Sequence, residues 1–529
     1  MSEVDSLRQQ LKDRGYLSHA IERWFALDPW SSRAFWLELT LVALKAATLI
    51  AAFAALPMTA IMLFRNAPLT AFETLALFLT YALAWLAIAF AFVVVVALIL
   101  KLRPALPIDT PRALLAISLA ASALLVLPVA VWWYGFDAAP TLSELLAGAA
   151  LTAIFFVVAT IVVSAALLSF SIYELQRVPA IHQKPRGVPM SVAATALIAL
   201  LFLPAYAERE RSAIEPMVVT TPNSRRVALI AVDGLTHEIL QSRLDLALIR
   251  VESIPAASTT ERWASLGTGV RTEAHGVRAI DAVRFRAGRH VLQGVSRAEV
   301  VLMRAAPLLG IARREPLPPT VRRRDYVWEI FARRGLPSAA VNWWATADER
   351  EGGLASISPA VVFTSAGADP LRIDSIAAQK FLGEIGRFPR FATVYLPALD
   401  VILNRLEIDR TTQLAQSLRA LDGITALVSE ARRRGYDVVV VGLPGDGQNG
   451  DGVIASNLPL RSDATAWDVA PTLLDLLGFP LSQEMPGRSL LRANEEPRIA
   501  SYGARRSSAP AQGVNEEYYE NLRSLGYIR

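Results

Sequence analysis

Five long apolar stretches fill the first two-fifths of the 529-residue chain and constrain its fold more than any other feature. Most of them reach the roughly 20 residues that a helix needs to cross the hydrocarbon core of a bilayer. The last stretch is the shortest and contains Pro204. We predict five transmembrane helices, at residues 35–64, 71–100, 113–134, 145–175 and 190–207.

Basic residues in the short connections predict the orientation of these helices, because cytoplasmic loops of membrane proteins are enriched in Lys and Arg. The connection from residue 135 to 144 contains neither, and only Arg65 in the first outer loop opposes the pattern. The basic connections carry Lys101, Arg103, Arg112, Arg177, Lys184 and Arg186. We therefore predict a multi-pass protein of the inner (plasma) membrane, with a cytoplasmic N-terminus and with the part after residue 207 periplasmic or extracellular.

The segments on either side of the membrane region 35–207 differ in character. Residues 1–34 mix apolar and basic side chains, which fits an amphipathic helix on the cytoplasmic membrane surface and a solvated tail equally well. Residues 208–225 are polar and irregular, so we predict a linker. Glu38, Lys45 and Glu73 lie toward the ends of the spans, where the charged groups are expected to snorkel to the interface.

The composition excludes several classes of function. The chain has no cysteine, so any metal must be held by oxygen and imidazole ligands. Its net charge of +5 does not indicate a nucleic-acid partner, because no aromatic and basic recognition motif accompanies it.

Residues 226–529 alternate strand-like and helical patterns, which predicts an α/β domain with a mostly parallel sheet between helical layers. The strands are expected at 226–232, 338–342, 391–396 and 436–442, and the helices at 325–334, 371–385, 411–434 and 467–477. The Arg- and Pro-rich interval 305–324 is expected to be an insertion loop.

Two polar residues, Asp233 and Thr259, are candidates for an active site because of their places in this pattern of strands and helices. Asp233 ends a buried strand at the sheet edge where α/β folds place their chemistry, although a residue in this pattern can also be the cap of a helix beginning near Leu235. Thr259 lies at the start of a short helix, where it suits either a helix cap or a nucleophile beside an anionic group. The neighbouring Glu261 and Arg262 are expected to form an exposed ion pair.

The order and spacing of several motifs resemble the type I phosphodiesterase and nucleotide pyrophosphatase branch of the alkaline phosphatase superfamily, which is related to the sulfatases. The motifs are Val232-Asp-Gly234, Thr259 with Trp263, Thr268-Gly269 with His275-Gly276, Asn342-Trp-Trp-Ala-Thr346, Tyr395-Leu-Pro-Ala-Leu-Asp400, the strand Asp437–Gly442, Asp468–Gly478, Met485-Pro-Gly-Arg488 and Leu522–Tyr527.

The resemblance implies two zinc-type ions that activate a Thr or Ser nucleophile and clamp a phosphoryl group. Asp233 matches the first carboxylate ligand and Thr259 matches the nucleophile. Asp400 matches the carboxylate of an Asp-x-x-x-His pattern, in which Asn404 replaces the His.

The remaining ligand positions depart from the family pattern. Leu443 and Pro444 stand where an Asp and a His are expected, and no histidine follows His290. Because these side chains offer no lone pair to a cation, the usual zinc pair cannot be held. The loop 445–452 offers Asp446, Asn449 and Asp451 for a single Mg²⁺ or Ca²⁺, although such a Gly-rich sequence is also typical of a turn.

These observations predict a membrane-anchored, catalytically degenerate pseudoenzyme with a binding or regulatory role at the cell envelope. The expected partners are the membrane, an anionic phosphate- or sulfate-bearing ligand and envelope proteins. The alternative is an active phosphodiesterase, sulfatase or headgroup transferase that acts on lipid or envelope substrates with an atypical metal site.

Overall fold

The computed structural model describes residues 35–65, 69–102, 111–134, 142–175, 224–240, 244–256, 258–286, 288, 290–293, 306–445, 448, 450–491, 498–505 and 516–528. The chain divides into two compact units. The first comprises residues 1–210 with 285–290 and 296–313, and the second comprises the rest.

Four long apolar helices form the described part of the first unit. They are α1 (Phe35–Arg65), α2 (Ala71–Leu102), α3 (Pro111–Tyr134) and α4 (Leu142–Leu175). Each contains a segment long and apolar enough to cross a membrane, which confirms four of the predicted apolar helices as candidate spans. The predicted fifth span at 190–207 lies outside the described residues, as do the segment 1–34 and most of the linker 208–225.

The second unit is built on a mostly parallel sheet of nine strands in the order β11-β2-β10-β9-β1-β8-β5-β7-β6. Strands β9, β1, β8, β5 and β7 run parallel, whereas β10 is antiparallel to β9 and β2. The strands are β1 (Val227–Asp233), β2 (Ala247–Glu252), β5 (Ser338–Val341), β6 (Glu349–Glu351), β7 (Leu354–Ile357), β8 (Phe391–Leu396), β9 (Asp437–Leu443), β10 (Gly452–Ser456) and β11 (Ala464–Thr465).

Two smaller pairs of strands complete the sheet structure. Strands β3 (Asp281–Phe285) and β4 (Ala312–Pro316) form a two-stranded ribbon, and β12 (Leu481–Ser482) pairs with β13 (Arg498–Ile499). The helices after the membrane region are α5 (His237–Leu240), α6 (Thr259–Thr268), α7 (Thr272–His275), α8 (Val327–Arg333), α9 (Pro359–Ala366), α10 (Pro370–Ile385), α11 (Ala398–Asp400), α12 (Arg410–Arg433), α13 (Val469–Leu476) and α14 (Glu516–Ser524).

The sequence prediction of an α/β domain with a mostly parallel sheet is confirmed. The four expected strands and four expected helices are present with shifts of one or two residues at their ends. The expected insertion loop at 305–324 is wrong in part, because it contains β4 and a 3₁₀ turn at Pro319–Val321. Its arginines pair with acidic side chains on the opposite strand or nearby, which makes a basic sequence compatible with a strand.

A buried aromatic cluster lies beneath the carboxyl edge of the sheet. Trp263 packs edge-on against Trp343 and Tyr395, with ring centroids 6.0 and 5.3 Å away. Trp343 in turn contacts Trp328, and its indole N–H donates to Thr393 at 3.0 Å. Because Trp263 belongs to α6 and Tyr395 to β8, this cluster fixes the start of α6 relative to the central strands.

Replacement of Gly442 by Ala should destabilise the fold by about 1–3 kcal/mol, because a Cβ at this position of β9 would overlap the carbonyl oxygen of Leu235. Gly423→Ala, in α12, is the matched control: its Cβ meets open space, so it should stabilise the helix by about 0.5–1 kcal/mol. Urea unfolding of the detergent-solubilised chain, followed by pulse proteolysis, measures both changes. Equal stability of the two variants would contradict the packing of β9 against the turn after β1.

Candidate active site

Asp233 lies at the carboxyl end of the central strand β1 and is completely buried. The hydroxyl of Tyr395 donates to its Oδ2 at 2.9 Å, whereas its Oδ1 has no hydrogen-bond partner among the described residues. The alternative role of Asp233 as a helix cap is wrong, because α5 begins only at His237. Gly234 adopts a φ of +78°, and a Cβ there would lie 2.6 Å from the backbone of Asp400.

Asp400 follows strand β8 and is also completely buried. Its Oδ1 accepts from the amide of Asn404 at 2.8 Å, and its Oδ2 accepts from Nε of Arg405 at 2.6 Å. The chain from Val401 to Arg405 forms a π-helical turn. This wider turn brings residue 405, five positions beyond Asp400, onto the carboxylate.

Thr259 is the first residue of α6, but it is not the helix cap. Ser258 is the cap, since its hydroxyl accepts from the N–H of Glu261 at 3.1 Å. The Oγ1 of Thr259 instead accepts from Nη2 of Arg405 at 2.9 Å. The Arg405 guanidinium therefore joins the predicted nucleophile position to the predicted metal ligand Asp400.

Arg405 is also covered by the C-terminal segment. Its guanidinium lies 4.2 Å from the ring centroid of Tyr527, a distance typical of a cation–π contact. The Arg405 side chain is only 10% exposed. Arg405 was not among the predicted site residues, although an arginine next to Asn404, in a run that is otherwise mostly apolar, is a usable signal.

The end of strand β9 contributes backbone groups to the site. The carbonyl oxygen of Pro444 accepts from Nη1 of Arg262 at 2.6 Å. A Cβ on Gly445 would overlap the carboxylate of Asp400, so only glycine permits this close approach. Gln448 accepts from the N–H of Gly445 at 2.9 Å through its Oε1.

The expected exposure of Glu261 and Arg262 is wrong. Both residues are buried, because α6 packs beneath the site and not at the surface. Glu261 accepts from the hydroxyl of Thr272 at 2.7 Å. Arg262 adds a second positive charge near Asp233.

The two carboxylates and two guanidinium groups determine the electrostatics of the site. Burial, followed by the negative charge of Asp400, raises the pKa of Asp233 to about 7. Arg262, Arg405 and the hydrogen bond from Tyr395 act in the opposite direction. The Asp233 carboxylate can therefore bind a proton near neutral pH.

The residues present do not fit the two-zinc centre that the family pattern implies. Both oxygens of Asp400 are bonded to Asn404 and Arg405, and the side chains of Leu443 and Pro444 have no donor atoms. Within the described ranges, no three His, Cys, Asp or Glu side chains cluster closely enough to hold a metal ion. A buried guanidinium beside Asp400 also repels a cation.

The alternative oxygen ligands of the loop 445–452 are placed only in part. Asp446 and Asn449 lie outside the described residues. The carboxylate of Asp451 pairs with Arg250 at 3.2 Å, and its carbonyl oxygen accepts from the N–H of His237. The single Mg²⁺ or Ca²⁺ site therefore remains a prediction.

Residues 227–449 match the sequence model of the type I phosphodiesterase / nucleotide pyrophosphatase family. This part of the chain is a phosphodiesterase-family domain. The match covers strands β1 to β9 and all the residues of the candidate site except Tyr527, in agreement with the resemblance to the alkaline phosphatase superfamily. No curated protein sequence matches the chain.

Solved structures similar to this chain include murine ectonucleotide pyrophosphatase / phosphodiesterase 5, with 10% identity, a TM-score of 0.35 and coverage of 50% of this chain and 97% of that one. BT1596, a 2-O GAG sulfatase, shares 10% identity with a TM-score of 0.34, over 51% of this chain and 73% of that one. Phosphonoacetate hydrolase from Sinorhizobium meliloti 1021 shares 10% identity with a TM-score of 0.29. The similarity covers 60% of this chain and 100% of the hydrolase.

Arg405→Met should lower the free energy of unfolding by about 3–5 kcal/mol near pH 8, because it leaves a buried carboxylate without its cation. The loss should be smaller near pH 5, where Asp233 is protonated and the local negative charge is reduced. Arg419→Met in α12, at an exposed arginine, is the control and should change the stability by less than about 0.5 kcal/mol. Urea midpoints at both pH values measure the effect, and equal losses for the two variants would contradict it.

Asp233→Asn tests the protonation of the buried carboxyl. The unfolded chain releases this proton near pH 4 and the folded chain near pH 7, so folding takes up a proton between these values and the stability of the wild type falls as pH rises through the window. The Asn variant should lose this dependence, whereas the fully exposed Asp245→Asn control should keep it. Urea unfolding across the window gives the slopes, and an unchanged slope in Asp233→Asn would be evidence against the assignment.

Proposed function

We propose that the chain is a membrane-anchored pseudoenzyme of the phosphodiesterase family, with a binding or regulatory role at the outer face of the inner membrane. The observation that carries this proposal is the position of Arg405, whose guanidinium bonds both Asp400 and Thr259. An internal cation thus neutralises the carboxylate that would otherwise ligate a metal.

The same arrangement leaves the predicted nucleophile unactivated. A threonine hydroxyl is a weak nucleophile unless a base or a metal ion removes its proton. Asp400 is engaged by Arg405 and Asn404, and Asp233 is bonded to Tyr395. The Oγ1 of Thr259 accepts a hydrogen bond from Arg405, and no carboxylate or imidazole among the described residues accepts its proton. Nucleophilic attack by the Thr259 hydroxyl on a phosphodiester is therefore disfavoured.

The start of α6 retains features suited to an anionic ligand. The helix has ten residues, and its positive end lies beside Arg262 and Arg405. A phosphate- or sulfate-bearing molecule is the ligand class that this charge pattern favours. Envelope proteins are the other class of partner that we infer.

The proposed topology places the domain outside the cell. The basic connections after α2 and α4 are assigned to the cytoplasm, which requires a cytoplasmic N-terminus and five spans in total. Under this arrangement the phosphodiesterase-family domain faces the periplasm or the cell exterior, where lipid headgroups and other envelope phosphodiesters are accessible.

One observation favours a second candidate function. The Oδ1 of Asp233 is buried and has no hydrogen-bond partner among the described residues, so it remains able to accept a proton or to ligate a cation. An active phosphodiesterase, sulfatase or headgroup transferase with an atypical metal site is the corresponding alternative.

Metal content and turnover of the purified full-length chain distinguish the two. We expect well under one zinc, magnesium or calcium ion per chain by elemental analysis, and hydrolysis of bis(4-nitrophenyl) phosphate that is unchanged by Thr259→Ala. Thr260→Ala, at the adjacent buried hydroxyl, controls for perturbation of α6. Stoichiometric metal together with turnover that only Thr259→Ala abolishes would establish the active enzyme instead.

A further inference from the structure

The ribbon formed by β3 and β4 ends in a segment that belongs to the first compact unit. We call the described residues at this end, Arg286, Gly288, His290 and residues 306–313, the ribbon tip. The N–H of Arg286 donates to the carbonyl oxygen of Ile311 at 3.0 Å, so the two sides of the tip are joined by backbone pairing. This pairing gives the described backbone of the tip a defined conformation.

The ribbon tip is bonded to the first turn of the membrane helix α2. The backbone N–H of His290 donates to Oε1 of Glu73 at 2.8 Å, and its Nδ1 lies 2.8 Å from Oε2. Glu73 also accepts from the N–H and the hydroxyl of Thr70, and its side chain is 1% exposed. The charge of Glu73 is therefore satisfied by partners that cover it. A Cβ on Gly288 would lie 2.7 Å from Oε1 of Glu73, so the tip approaches this carboxylate closely.

This contact determines the depth of the ribbon tip relative to a bilayer. Glu73 lies in the first turn of the candidate span Ala71–Ile99, where a membrane helix passes from the headgroups into the hydrocarbon. The ribbon tip is hydrogen-bonded to that turn, so it shares the depth of the turn relative to the bilayer. The ribbon tip is thus placed in the interfacial layer beside α2.

The exposed side chains of the ribbon tip have the composition of an interfacial anchor. Leu308 is 87% exposed and Leu309 is 62% exposed, and Ile311 is exposed as well. Arg286 and Arg313 are exposed on the same tip. Adjacent apolar side chains flanked by basic ones are favoured where hydrocarbon meets anionic headgroups, and they are unfavourable in water.

We propose that the ribbon tip inserts Leu308, Leu309 and Ile311 into the lipid bilayer beside α2, while Arg286 and Arg313 contact the headgroups of anionic lipids. The surface is separate from the Asp233–Asp400 site and does not depend on whether that site is catalytic. It rests on the anchoring of α1–α4 in a membrane, and the experiment below tests that condition separately.

Site-specific labelling tests the proposal in the full-length chain, because the sequence contains no cysteine. Leu309→Cys carrying an NBD fluorophore, reconstituted in nanodiscs, should be quenched by doxyl-labelled phospholipid and protected from aqueous iodide. Leu308→Cys provides a second, independent position. Quenching by the lipid should weaken several-fold when anionic phosphatidylglycerol is replaced by zwitterionic phosphatidylcholine, and the Arg286→Gln, Arg313→Gln double variant should lose this lipid dependence.

Two matched positions control the experiment. Leu414→Cys, on α12 and also 62% exposed, should be open to iodide and unaffected by doxyl lipid. Leu124→Cys, 63% exposed on α3 within the span Leu114–Val131, should be quenched by the lipid. Absence of quenching at Leu124 would refute the membrane anchoring itself. Quenching at Leu124 with iodide access at Leu309 would overturn the ribbon-tip proposal, and so would protection of Leu309 from both quenchers, which would indicate a covering protein surface.

Discussion

The buried ion pair between Arg405 and Asp400 is the interaction on which the candidate site depends. Asp400 is fully buried and Arg405 nearly so, and each would cost several kcal/mol of desolvation alone. Pairing offsets this cost only when the remaining donors and acceptors are satisfied. Here Asn404 bonds the second oxygen of Asp400, Thr259 accepts from the guanidinium, and the Tyr527 ring covers it.

The ion pair also explains why the pKa of Asp233 is raised. Arg405 is committed to Asp400, so Asp233 receives only longer-range stabilisation from the two arginines and a single hydrogen bond from Tyr395. Burial then outweighs these favourable interactions and raises the pKa of the carboxyl. Asp400 is paired with a cation, whereas Asp233 is left able to take up a proton near neutral pH.

The geometry of the site comes from the parallel strands β1, β8 and β9, whose carboxyl ends meet at one edge of the sheet. Gly234 and Gly445 allow the connecting turns to approach Asp400 within van der Waals contact. The chemistry of this edge therefore depends on the side chains that the turns after these strands carry, on a backbone framework that the sheet holds in place.

The sequence by itself determined the features that depend on local pattern: four of the apolar helices, the strand and helix order of the α/β domain, and the family to which residues 227–449 belong. Hydrophobicity and period are local properties, so a window of residues is enough to detect them. The identity of the helix cap at Ser258, the burial of Glu261 and Arg262, and the strand within 305–324 were not predicted. Only the tertiary structure decided that Arg405 occupies the site, because its partner Thr259 lies 146 positions away in the chain. The pairing of buried charges depends on which segments meet in space, and no local pattern encodes that.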